Sequence, residues 1–159
     1  GLSAAGLYAL SHGVAGFDLL KEAHRVPRPL YEQARQVAKN SEVHAMCDVS
    51  DGLLADLMHI AEASKVECEI DGDKLDVVRL TELAEVAGMD PKTWALTGGE
   101  DHAFLVVASS LADLLNQENL ICREIGAVTA THSTGIVHLV NGPQSGVDIS
   151  GFDHFRISL

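Results

Sequence analysis

Residues 43–64 read Val43-His44-Ala45-Met46-Cys47-Asp48-Val49-Ser50-Asp51-Gly52, followed by LLADLMHIAEAS. The first seven, Val43 to Val49, form a short apolar run and predict a buried strand. Ser50-Asp51-Gly52 then breaks the pattern. Leu53, Leu54, Leu57, Ile60 and Ala61 recur at helical spacing, with Asp56, His59 and Glu62 assigned to the other faces. The segment is therefore strand, tight turn, helix, and this unit anchors the reading of the whole chain.

Working outward, helices are expected over Ser3–Leu10, Phe17–His24 and roughly Pro29–Ala38, with Pro27 and Pro29 interrupting between the last two. Downstream, Val66 to Ile70 predicts a second strand closed by Asp71-Gly72-Asp73. Leu80 to Ala87 predicts a helix stopped by Gly88. Asp90-Pro91 opens another helix with Asp as cap and Pro in the first turn. Leu96-Thr97-Gly98-Gly99-Glu100-Asp101 is a glycine loop feeding a strand over Ala103–Ala108. A helix is expected at Ser110–Asn116. Ile121–Ala130 and Gly135–Val140 predict an antiparallel hairpin, and a turn-rich tail runs to Leu159. Helices interleaved with strands in 159 residues predict one α+β domain, a mixed β-sheet covered by helices.

Composition narrows the function. The chain is 47% hydrophobic, enough for a core, and carries a net charge of −12. That charge argues against nucleic-acid or anionic-membrane partners, which select basic surfaces. The stretch from Glu42 to Asp101 holds 15 acidic and 4 basic residues, so nearly all the excess lies there. Cys47, Cys68 and Cys122 make neither a disulfide framework nor a zinc pattern. No apolar run reaches the roughly 20 residues of a membrane span. The chain begins at Gly1 with no basic region leading an apolar stretch, so a processed or excised piece of a cytoplasmic protein is expected.

Two motifs carry chemistry. In Asp48-Val49-Ser50-Asp51-Gly52 a helix start offers N–H groups to phosphate, and two carboxylates suit Mg²⁺, a hard cation that takes oxygen ligands. The alternative is that Ser50 or Asp48 caps the helix and Asp51 favours its dipole. In Gly98-Gly99-Glu100-Asp101 the glycines permit close backbone approach of a ligand, or the segment is an ordinary solvated turn. There is no P-loop, no GxSxG and no HExxH. Trp94 is expected in the core. Phe152 either packs in the core or stacks on a planar ligand.

Taken in order, SAAGL near the start, DVSDGLLADLMHIAEAS, LTGGEDHAF, IGAV and the terminal Gly151-Phe152-Asp153-His154-Phe155 resemble the C-terminal domain of the thiamine-monophosphate kinases. These belong to the superfamily of aminoimidazole-ribonucleotide synthetase. The resemblance spans essentially the whole chain and departs from the common pattern at Leu2, His102 and Ala103. It implies the fold of the synthetase's C-terminal domain and ATP-dependent phosphorylation of thiamine monophosphate to thiamine diphosphate. It implies that Asp48 and Asp51 ligate Mg²⁺, that Ser50 contacts ATP, and that Glu100 and Phe152 contact thiamine monophosphate. It also implies that residues 1–159 are the second domain of a two-domain homodimer whose N-terminal domain is absent here. The alternatives are another enzyme of the superfamily, selenophosphate or aminoimidazole-ribonucleotide synthetase-like, and a non-catalytic thiamine-phosphate-binding module.

Overall fold

A computed structural model describes residues 1–110 and 121–143. The element order is α1 (Leu2–Ser11), α2 (Asp18–Arg25), α3 (Tyr31–Val37), β1 (Val43–Asp48), α4 (Leu53–Ser64), β2 (Val66–Asp71), a 3₁₀ turn (Gly72–Lys74), α5 (Val78–Ala87), α6 (Pro91–Thr97), β3 (Phe104–Ala108), β4 (Gly126–Thr131) and β5 (Ile136–Val140). The fold is α+β, as expected, with its described strands in two sheets. β1 and β3 pair antiparallel, from Val43 opposite Ala108 to Asp48 opposite Phe104. β4, β2 and β5 form a mixed sheet in that order.

Helix α4 ties the two sheets together, since it touches β1 and β3 as well as β2 and β5. Its stripe of Leu53, Leu54, Leu57, Ile60 and Ala61 is buried against Cys68, Ile70, Leu96, Leu105 and Val137. Each leucine or isoleucine of the stripe stabilises the fold by about 1.5–3 kcal/mol relative to leaving it in water. A second cluster joins Ala5, Ala9, Leu20, Leu80, Leu83, Ala84 and Trp94, so α1, α2, α5 and α6 pack as a helical layer. Trp94 is core, as expected, with Tyr8 tilted against it at 5.5 Å between ring centroids. Local stop signals act as anticipated. Gly88 ends α5 in the left-handed region (φ 67°), and Asp90 accepts the N–H of Lys92 at 2.9 Å with Pro91 opening α6.

The expected hairpin between the last two described strands does not form. β2 lies between them, antiparallel to β4 and parallel to β5. β2 carries Cys68 and Ile70, 2% and 1% exposed, over α4. A strand buried this deeply takes the centre, and both its edges are satisfied by pairing. The 132–135 connection crosses the start of β2, where the His132 N–H donates to the carbonyl of Lys65 at 2.8 Å. The strand expected from Ile121 begins only at Gly126, and Ile121 is exposed. The helix expected at Ser110–Asn116 and the Gly151–Phe155 motif lie, save Ser110, outside the described residues.

Candidate functional site

β1 ends at Asp48, and the chain then turns into α4 through Val49, Ser50, Asp51 and Gly52. This turn is hydrogen-bonded to the Gly98–His102 loop, so the β1–β3 ladder continues past both strands. The Val49 N–H donates to the carbonyl of Ala103 at 2.8 Å, the His102 N–H to that of Val49 at 3.1 Å, and the Glu100 N–H to that of Ser50 at 2.8 Å. The two motifs, fifty residues apart in sequence, are thus one structural unit.

Two glycines make the approach possible. A Cβ on Gly99 would lie 2.5 Å from the Ser50 carbonyl oxygen. Gly52 has φ 120°, and a Cβ there would lie 2.8 Å from the Thr97 carbonyl oxygen. Between them, Glu100 and His102 adopt left-handed φ values of 61° and 50°. Such geometry costs on the order of 1 kcal/mol or more per residue, and it clusters at ligand sites. Here the ladder bonds on either side hold it.

The third motif joins the first two. Asp101 Oδ1 accepts the backbone N–H of Ser3 at 2.9 Å. The buried Ser3 hydroxyl lies 3.0 Å from His24 Nδ1 on α2. The SAAGL, DVSDG and GGED segments therefore converge at one corner, where the helical layer meets β1 and β3.

Asp56 corrects the sequence reading twice. It was assigned to a face away from the core, yet it is 5% exposed. At about 100° per residue it falls on the edge of the apolar stripe, next to Ile60, and periodicity alone does not resolve an edge. Its Oδ2 accepts three backbone N–H groups, from Ser50 at 3.0 Å, Asp51 at 3.1 Å and Gly52 at 3.2 Å. Three N–H groups of the turn are therefore bonded to a carboxylate of the helix that follows, while the first-turn amides of Leu53, Leu54 and Ala55 are not among them. Gly52 is the N-cap and no side chain caps it. Neither Ser50 nor Asp48 caps α4, so the simple capping alternative is not what the turn does.

The remaining polar groups face outward. Asp48 is exposed, and Ser50 and Asp51 are half-buried. Ligand atoms of Asp51, Asp56 and His59 all lie within 4.8 Å of one another, while Asp48 stands outside that group. Among the described residues no lysine or arginine pairs with Asp48, Asp51 or Asp56. Carboxylate oxygens without a counter-charge at a strand-to-helix turn suit a hard divalent cation, so the donor chemistry fits Mg²⁺. Glu100 is exposed, with Oε2 3.3 Å from Nε2 of His102. Phe152 lies outside the described residues. Burial, with the carboxylates of Asp56 and Asp48 nearby, pushes the Cys47 thiol up to about 11. Cys47 is thus a protonated thiol at neutral pH rather than a nucleophile.

A cavity of about 880 Å³ lies between the sheets and is lined by side chains such as Leu57, Ile60, Cys68 and Leu105. Neither Asp48, Ser50, Asp51 nor Glu100 lines it, and its apolar wall does not suit phosphate. No helix among the described residues is long and apolar enough to cross a membrane.

A thiamine-monophosphate kinase of Mycobacterium tuberculosis is 46% identical over 107 residues, covering 66% of this chain and 32% of that protein. The crystal structure of thiamine monophosphate kinase from Aquifex aeolicus superposes with a TM-score of 0.75 at 30% identity, over 90% of this chain and 48% of that one. The structure of AaThiL complexed with AMPPCP and TMP superposes with a TM-score of 0.78 at 29% identity, over 97% and 48%. The chain thus spans about a third to a half of the length of these relatives. Residues 1–138 match the model of the AIR synthase related protein, C-terminal domain. The chain belongs to that family.

Proposed function

We propose that this chain is the C-terminal domain of a kinase that transfers the γ-phosphoryl group of ATP onto the phosphate of thiamine monophosphate, forming thiamine diphosphate. The observation that carries this reading is the joining of the Asp48–Gly52 turn to the Gly98–His102 loop. It brings a pair of acidic residues and a serine hydroxyl beside a strained, exposed glutamate. The likeness to a structure complexed with AMPPCP, an ATP analogue, and TMP supports the same pair of ligands here.

Phosphoryl transfer asks for positioning and charge neutralisation more than for covalent help. Both substrates carry phosphate, and their repulsion must be offset. Asp48 and Asp51 would hold Mg²⁺, which when bound supplies that offset and polarises phosphoryl oxygens. The Ser50 hydroxyl donates to a phosphate oxygen of ATP. The Glu100 carboxylate complements thiamine monophosphate, whose thiazolium ring is cationic. Phe152 stacks on the planar rings of the same substrate. The rest of the metal and ATP sites belongs to a preceding domain, through which the protein forms a cytoplasmic homodimer.

The test is production of thiamine diphosphate from ATP and thiamine monophosphate by the full-length protein, against a panel of other phosphate-bearing acceptors. Turnover of another acceptor, with none of thiamine monophosphate, would transfer the chain to a different activity of the superfamily.

A further inference from the structure

We infer that Asp56 is a positioning residue that fixes the Ser50–Gly52 turn and so holds the carboxylates of Asp48 and Asp51 for a divalent cation. The inference rests on the reading of Asp48 and Asp51 as magnesium ligands. Here the N–H groups of Ser50, Asp51 and Gly52 all converge on one oxygen of Asp56. Bonds to a carboxylate are stronger than those between neutral groups, and this carboxylate is almost wholly buried.

Two consequences follow from that placement. The three amides point inward, so the turn keeps one conformation and its side chains are the groups left on the accessible side. The Asp56 carboxylate also places an anion beside the turn. Its negative charge lies close to Asp51, their ligand atoms with that of His59 falling within 4.8 Å of one another, and no lysine or arginine among the described residues answers it. Asp56 therefore orients the outer carboxylates and adds to the field that draws a divalent cation to them.

The experiment uses the full-length protein and Mn²⁺ as the probe, read by electron paramagnetic resonance, with amide exchange at Ser50, Asp51 and Gly52 measured in parallel. Asp56→Asn keeps the shape and one acceptor oxygen but removes the charge. It is expected to weaken Mn²⁺ binding by about 10–100-fold, the usual range for a partner of a metal ligand, and to speed exchange at the three amides while KM for thiamine monophosphate holds. In the wild-type protein those amides should exchange slowly, a measurement that does not depend on the variant folding. Fast wild-type exchange, or Mn²⁺ affinity within twofold of wild type in Asp56→Asn, would overturn the role of Asp56 alone. A wild-type protein that takes up no Mn²⁺ would overturn the magnesium reading of the turn and this inference with it.

Discussion

The amide of Glu100 donates to the carbonyl of Ser50 across 2.8 Å, and this bond closes the gap between two motifs fifty residues apart. Glu100 takes a left-handed backbone to make it. The adjoining Gly99 leaves no room for a Cβ against the same carbonyl. The geometry of the site therefore depends on backbone contacts that side-chain identities alone do not describe.

Gly99→Ala is the sharpest test of that contact. The added methyl group must displace backbone, at a cost of about 1–3 kcal/mol, and it should lower turnover as well as melting temperature. A control is Gly13→Ala, where no atom lies within 4 Å of the new Cβ. Its left-handed φ limits the expected loss to about 1 kcal/mol, with activity kept. Equal behaviour of the two variants in thermal melts and turnover would argue against a close-packed joint.

Asp48 is exposed and makes no ion pair among the described residues, so its removal should leave stability within about 0.5 kcal/mol of wild type. Asp48→Asn in the full-length protein is nevertheless expected to cut kcat and to raise the Mg²⁺ concentration needed for half-maximal activity. Unchanged activity and unchanged magnesium dependence would remove Asp48 from the metal site.

The raised thiol of Cys47 gives a pH signature. Its value moves from 9.0 to about 11 on folding. The unfolded chain therefore releases its proton first, and the folded state loses stability as pH climbs from 9 towards 11, with the contribution intact below 9. Denaturant midpoints should fall across that window, and less steeply in Cys47→Ala. At pH 8, native Cys47 should alkylate far more slowly with iodoacetamide than in the unfolded chain.

Phe152 separates stacking from core packing. Phe152→Ala is expected to weaken binding of thiamine monophosphate while the melting temperature holds. A loss of about 3–5 kcal/mol in stability, the cost of truncating a buried Phe, with substrate affinity kept would assign the ring to the core.

Most of the element boundaries were legible because burial imposes periods of 2 and 3.6 on the apolar residues. The stop and start signals at Gly88 and Asp90-Pro91 are local chemistry, and they act locally. Strand partners were not legible. Short runs rich in β-branched and apolar residues mark β4 and β5 as strands, but only tertiary burial of Cys68 and Ile70 explains why β2 separates them. At the site, the motifs single out the candidate residues. Their contact through Ser50, Val49 and Ala103 is a backbone property that side-chain patterns do not encode. Asp56 escaped because an acidic residue on the rim of an amphipathic helix reads as solvated until three amides are found pointing at it.

The most direct test of the proposed activity is ³¹P NMR of the full-length protein mixed with ATP, Mg²⁺ and thiamine monophosphate, beside the 159-residue chain alone. The expected result is loss of the thiamine monophosphate resonance and growth of a thiamine diphosphate pair with the full-length protein, abolished by EDTA, and little or no turnover by the chain alone. A full-length protein that leaves thiamine monophosphate unphosphorylated under these conditions would contradict the proposed function, and comparable rates from the 159-residue chain would contradict its place as half of the active unit.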